Sequence, residues 1–186
     1  MEEYININNE KFNYGIKRNN EIENFYYFSL LWNPNYYYKS NFTIHGLWSQ
    51  YNMTSYPTYC YGNDNGNDNG NDNDNDNDNI FNEKKIENLE NILHDVWVST
   101  YNINKNKIDK NNYNNNNDNN NNLNFWRYQW NKHGTCNWNN WNMENYFKNT
   151  VMTYFYHIDD INNLCFQGYD CKIPLDTNMQ ILEFDK

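Results

Sequence analysis

The sequence has no uninterrupted apolar run of the ~18 residues that a membrane-spanning helix requires, so no such helix is expected. Positive charge is scarce: 14 Lys and Arg stand against 24 Asp and Glu, for a net charge of −10. A protein that coats a nucleic-acid duplex carries a basic stripe, and none is visible, so any nucleic-acid chemistry must work in a local pocket. The N-terminus, MEEYININNEKFNYG, lacks a basic region followed by an apolar stretch, and no signal peptide is readable in it. Cysteine is sparse as well. The four present are an even number, compatible with two disulfides, and four cysteines allow three pairings.

What is abundant is asparagine, at 47 of 186 residues, with Tyr, Lys, Ile and Asp also in excess. AT-rich codons specify these residues, so the bias reads as genome composition, and no single Asn is taken as functional. For the same reason the sequons Asn41-Phe42-Thr43 and Asn52-Met53-Thr54 carry little weight. The length suits one domain with a real core, spanning 1–186 and interrupted by two low-complexity tracts. The first, GNDNGNDNGNDNDNDNDN (62–79), and the second, around NKNKIDKNNYNNNNDNNNN (104–122), offer almost nothing apolar to bury and read as solvated loops. The first is not read as a calcium loop, which needs a terminal bidentate Glu and flanking amphipathic helices.

The remaining segments have clear periodicity. NFYYFSLLW (24–32) and SNFTIHGLW (40–48) are aromatic and β-branched, and read as two strands separated by the Asn-Pro-Asn turn at 33–35. Ile86, Leu89, Leu93 and Val96/Trp97 recur at helical spacing within 82–99, and a second helix is expected over 141–158. MQILEFD (179–185) is expected to close the domain as a short strand. The mixture is α+β, an antiparallel sheet with packed helices.

Two short blocks carry chemistry. His45 lies in FTIHGLW and His133 in WNKHGTC, each followed by Gly and set among aromatics. Gly after His permits a tight turn or close approach to a ligand, and a neighbouring Trp offers a face on which a base can stack. Two imidazoles near pKa ~6.5 can divide proton transfer, one neutral and accepting, one charged and donating. Lys132 supplies fixed positive charge for an oxyanion. These are the parts needed for transesterification at an RNA phosphodiester. Blander readings compete: both histidines as core residues bonded to carbonyls, or a zinc site of Cys60, Cys136, His45 and His133, whose spacing is poor. His94 and His157 read as surface or core residues, and Trp126 and Trp130 as packing anchors.

FTIHGLWSQYNMTSYPTYC (42–60) and FWRYQWNKHGTC (125–136) resemble the two active-site blocks of the ribonuclease T2 family, F-T-I-H-G-L-W-P and F-W-x-H-E-W-x-K-H-G-T-C. VWVS and YYFSLLWNP are similar to the family's helix end and opening strand, so the resemblance runs from about 24 to 160. It implies a T2-like fold and roles for particular residues. His45 is the acid that protonates the leaving group and later the base that hydrolyses a cyclic phosphate. His133 is the general base and Lys132 the transition-state cation. Trp48 and Tyr56 sandwich the base 5′ to the cut, and Phe125 lines the pocket for the next base. Cys60 and Cys136 form the disulfide that ties the blocks together, and Cys165 and Cys171 the second bridge, at a separation shorter than expected for it.

The chain departs from the family at several positions. Tyr128 stands where most members have a phosphate-binding His, and Gln129 where most have Glu. Gln can donate to a phosphoryl oxygen, which an ionised Glu would repel. Ser49 and Gln50 replace Pro-Asp, leaving base preference open, and the region after residue 160 is short for the family. The implied function is a metal-independent endoribonuclease with no cofactor, cleaving single-stranded RNA through a 2′,3′-cyclic phosphate. The alternative is a catalytically weakened T2-like RNA-binding or interaction protein. RNA is the expected partner, with no DNA and no membrane, and the chain is expected to act as a monomer. The family and its disulfides imply a secreted or endomembrane (lysosomal or vacuolar) location.

Overall fold

The computed structural model describes residues 24–34, 40–60, 80–99 and 116–182, with side chains of the last segment from 121 onward. The 62–79 tract, the first part of the second tract, residue 35 of the Asn-Pro-Asn turn and the end of the C-terminal segment lie outside them. β1 (Phe25–Trp32) pairs antiparallel with β2 (Phe42–Gln50) and with β3 (Cys171–Leu175), giving the order β2-β1-β3. Tyr26, Phe28 and Leu30 share one face of β1, and their partners Ser49, Leu47 and Ile44 share it on β2. All six are buried.

Between Ser29 and Leu30 the β1–β2 register shifts: Ser29 pairs with Gly46 and Leu30 with Ile44, so His45 is the extra residue of a β-bulge. That insertion matters for function. In a regular strand residues three apart point to opposite faces. The bulge resets the alternation, so that His45 and Trp48 open to one side while Ile44 and Leu47 stay in the core.

Helices cover the core face. Ile86, Leu93, Val96 and Trp97 are buried as the sequence periodicity predicts. Their segment, however, is a 3₁₀ helix (Glu83–Leu89), capped by Asn82, that runs into α1 (Glu90–Val96), so it ends before residue 99. α2 (Asn116–Lys132) begins inside the Asn tract that was expected to be loop. Tertiary packing overrides the poor helix propensity of Asn there. Trp126 and Trp130 are buried, and the buried Asn122 accepts from Ser99 N (2.9 Å) and pairs with His94 Nδ1 (2.7 Å). α3 (Met143–Tyr156) lies within the predicted 141–158, its N-cap Asn142 accepting from Asn145 N. α4 (Ile158–Leu164) follows directly. Among the described residues, the segment expected as a closing strand contributes a single bridge, Leu175 with Ile181.

β2 lies at the edge of the described sheet, and the helices satisfy its carbonyls. Tyr154 Oη donates to Phe42 O (2.7 Å), Trp97 Nε1 to His45 O (3.0 Å) and Tyr146 Oη to Leu47 O (2.9 Å). Three aromatic donors thereby fix the strand on both sides of the bulge.

Both disulfides form, Cys60–Cys136 and Cys165–Cys171, with Cα atoms 5.2 and 5.6 Å apart. Their loops differ greatly, at sequence separations of 76 and 6. Chain-entropy reasoning gives about 4 kcal/mol for the long link and about 2 kcal/mol for the short one. Urea unfolding of Cys60→Ala/Cys136→Ala and of Cys165→Ala/Cys171→Ala should therefore show the larger loss for the first pair. Equal losses would contradict this ordering.

Candidate active site

One cleft of about 150 Å³ gathers most of the residues singled out in the sequence. His45, Trp48, Tyr56, Tyr128, Gln129, Lys132 and His133 line it, together with Tyr27, Gln50, Met53, Thr54 and Lys172. Among these described lining residues the formal charges are the two lysines, and none is a carboxylate.

The bulge supplies His45 and Trp48 from the sheet, and the last turn of α2 supplies Tyr128, Gln129, Lys132 and, one residue beyond, His133. Trp48 joins the two sources. Its indole stacks on the His133 ring (centroids 4.9 Å, 22° between planes) and meets the His45 ring edge-on at 4.9 Å. Its Nε1 donates to Gln129 Oε1 at 3.0 Å. An indole N–H can only donate, so this bond fixes the carboxamide orientation and leaves Gln129 Nε2 as the free end. That Nε2 is buried without a partner, as is His133 Nδ1. Buried unpaired polar atoms are rare in a finished fold, and two in one cleft mark a site shaped for a polar ligand.

The glycines after the two histidines serve close packing. A Cβ on Gly46 would collide with the Gln129 carboxamide and the Trp48 indole, and one on Gly134 with the rings of Trp130 and Tyr146. Gly46 therefore makes room for the Trp48–Gln129 bond, and neither glycine has a positive φ.

The loop carrying Tyr56 is fastened to the segment that follows α2. Tyr59 N donates to Lys132 O (3.1 Å) and Cys60 N to Cys136 Sγ (3.2 Å), beside the disulfide. Because Cys60 and Cys136 are bonded to each other, they are not available as thiolate ligands, which removes the Cys₂His₂ zinc arrangement. Phe125 does not line the cleft, and its ring lies 5.8 Å from that of His45. His157, buried, pairs with Asp160 (2.9 Å) and Met179 O (2.8 Å), remote from the cleft lining.

Electrostatics follow from burial and two lysines. Desolvation, with Lys172 and Lys132 nearby, lowers His45 to about 4. Desolvation, with Lys132, His45 and Lys172, lowers His133 to about 3. For Lys132, burial disfavours the charge, but the hydrogen bond donated to Tyr128 Oη (2.9 Å) and the nearby phenols outweigh it, and its pKa is raised.

Lys172 was not singled out in the sequence, where it is the lone Lys or Arg between Lys148 and Lys186. It sits in β3, opposite Ser29, with its Nζ 5.0 Å from the Trp48 ring centroid and 5.9 Å from that of Tyr27. That isolation in an acidic stretch was the one available signal.

The Ribonuclease T2 family model matches residues 23–168. The chain belongs to the ribonuclease T2 family. Solved T2-type structures are similar in fold. The RNase-related protein from Calystegia sepium has a TM-score of 0.53 at 17% identity, over 90% of this chain and 93% of that one. RNase NT, solved with 5′-AMP, has 0.51 at 15%, over 87% and 89%. A mutant of RNase MC1 with 5′-GMP has 0.53 at 18%, over 87% and 93%. A comparison with curated proteins finds no match.

The lowered imidazole pKa values make a prediction with a definite sign. Groups held below the ordinary value of 6.5 stabilise the fold fully above pH 6.5, and that contribution is lost as pH falls towards 4 and 3. An anion in the cleft favours the charged rings and restores part of the loss. Sulfate, with ionic strength held constant by chloride, should therefore raise Tm more at pH 5 than at pH 8. An equal or smaller rise at pH 5 would contradict the assignment.

Proposed function

We propose that the cleft is the active site of a metal-independent endoribonuclease that cleaves single-stranded RNA by transesterification. The observation that carries this reading is the placement of His45 and His133 on one indole, in a cleft whose described lining holds two lysines and no carboxylate. The nucleotide-bound state of RNase NT and of the RNase MC1 mutant is in keeping with it.

Neutral His133 takes the proton of the ribose 2′-OH, whose oxygen attacks the adjacent phosphorus. The 5′-oxygen leaves and receives the proton of charged His45, giving a 2′,3′-cyclic phosphate and a 5′-OH end. In the second step His45, now neutral, takes a proton from water as it attacks phosphorus. His133 returns its proton to the 2′-oxygen, and both rings regain their starting states. Lys132 offsets the charge that develops on the non-bridging oxygens, and the unpartnered Gln129 Nε2 donates to one of them. Trp48 and Tyr56 hold the base 5′ to the cut, with Tyr56 half-exposed at the rim. The single-strand requirement follows, since a paired base cannot enter between two aromatic rings. Two disulfides and T2 membership support an oxidising compartment, secreted or endomembrane. Among the described residues no helix is long and apolar enough to cross a membrane.

Burial and the two lysines hold both rings below the ordinary imidazole value in the free protein. Phosphate binding favours their charged forms, so the charged acid that the first step needs is favoured with substrate in place.

A second reading, weakened catalysis, has one observation in its favour: Tyr128 engages the Lys132 ammonium that the reaction needs.

RNA cleavage in EDTA, followed by detection of 2′,3′-cyclic phosphate ends, tests the reading. kcat/KM should fall as pH rises above about 4, and His133→Ala should lower it by about 10²–10⁴-fold. Absence of product between pH 3 and 7.5, or an unchanged His133→Ala rate, would overturn it. A large gain on Gln129→Glu with Tyr128→His would favour the weakened reading.

A further inference from the structure

Lys172 is a second cation in the cleft, supplied by a different element from Lys132. Lys132 ends α2 and bonds Tyr128, whereas Lys172 projects from β3 towards Tyr27 and Trp48. Its place is firmly held. β3 pairs with the central strand, Lys172 sits opposite Ser29, and the preceding residue, Cys171, is tied by its disulfide to Cys165 at the end of α4. Both imidazoles sense it, since it contributes to lowering each of them. Two ammonium groups reach one cleft from two different elements, more than a single phosphodiester needs, in a chain of net charge −10.

We propose that Lys172 binds a second phosphate of the RNA strand, the one on the 5′ side of the nucleotide whose base stacks on Trp48. This rests on the ribonuclease reading, in which Trp48 holds that base. Lys132 and Gln129 then serve the scissile phosphate while Lys172 serves its 5′ neighbour. The protein therefore favours an internal nucleotide, or one with a 5′-phosphate, over a nucleotide with a free 5′-OH. Lysine suits this task because its flexible stem lets the ammonium move from the indole face to an arriving phosphate. The class of substrate selected is thus a strand cut inside its length rather than at its first linkage.

Calorimetric binding at pH 5 and low salt tests the proposal with nucleoside 3′,5′-bisphosphates against the 3′-monophosphates of adenosine and uridine. For the wild type the bisphosphate should bind about tenfold tighter. Lys172→Gln should abolish that preference and Lys172→Arg should retain it. Equal binding of the two nucleotides by the wild type, or a preference that survives in Lys172→Gln, overturns the proposal. Tighter binding of both nucleotides by Lys172→Gln also overturns it, because the ammonium would then merely cover the indole. RNA cleavage measured alongside separates the two readings. Cleavage with equal nucleotide affinities removes the Lys172 assignment alone. Preference without cleavage removes the ribonuclease reading and leaves the phosphate site.

Discussion

The site depends on one hydrogen bond between sheet and helix, from Trp48 Nε1 to Gln129 Oε1. It joins the two halves of the cleft across 81 positions of sequence, and two backbone features permit it. The bulge at His45 turns Trp48 to the same side as the histidine, and Gly46 leaves the space that the carboxamide occupies. With the indole so held, His133 stacks on it and His45 meets its ring edge-on. The bond also decides which end of Gln129 remains free to donate. A carboxylate at this position could still accept from Trp48, but its second oxygen would meet a phosphoryl group as a like charge unless it were protonated. Glutamine gives the donor at any pH.

The second organising element is desolvation. Burial does most to depress both imidazoles, and the lysines add to it. An acidic chain can still attract an anion here, because the described lining of the cleft holds two lysines and no acidic side chain. The fold gives up stability in acid to keep these rings buried, and an anion that fills the cleft returns some of it. Anion binding and proton placement are therefore coupled through the same buried groups.

Much of this arrangement was legible in the sequence, for reasons that can be traced. The His-Gly blocks, both strands and the helix over Met143–Tyr156 are visible because local periodicity and short motifs encode them, whereas the two disulfide pairings came only from the family resemblance, since four cysteines alone leave three pairings open. The start of α2 was hidden by an Asn tract whose propensity says loop, while Trp126, Trp130 and Asn122 impose helix from within the core. β3 was missed because five residues containing Pro174 give no alternating pattern, and proline suits only an edge strand. Lys172 was missed with it. The bulge leaves no mark beyond the His-Gly pair, whose glycine serves packing against Gln129 rather than a turn. Even the asparagines, dismissed as compositional, include structural members: Asn137 bonds Gly134 O, Trp141 O and Trp141 N in the loop after His133.

The central claim is that His45 and His133 address a single phosphorus atom. Imidazole ¹H–¹⁵N correlation spectra across pH, with and without uridine 3′-phosphate, test it most directly. The account predicts that both rings titrate well below 6.5 in the free protein and that one equivalent of nucleotide moves both upward together. A shift confined to one ring, or to neither, would contradict it.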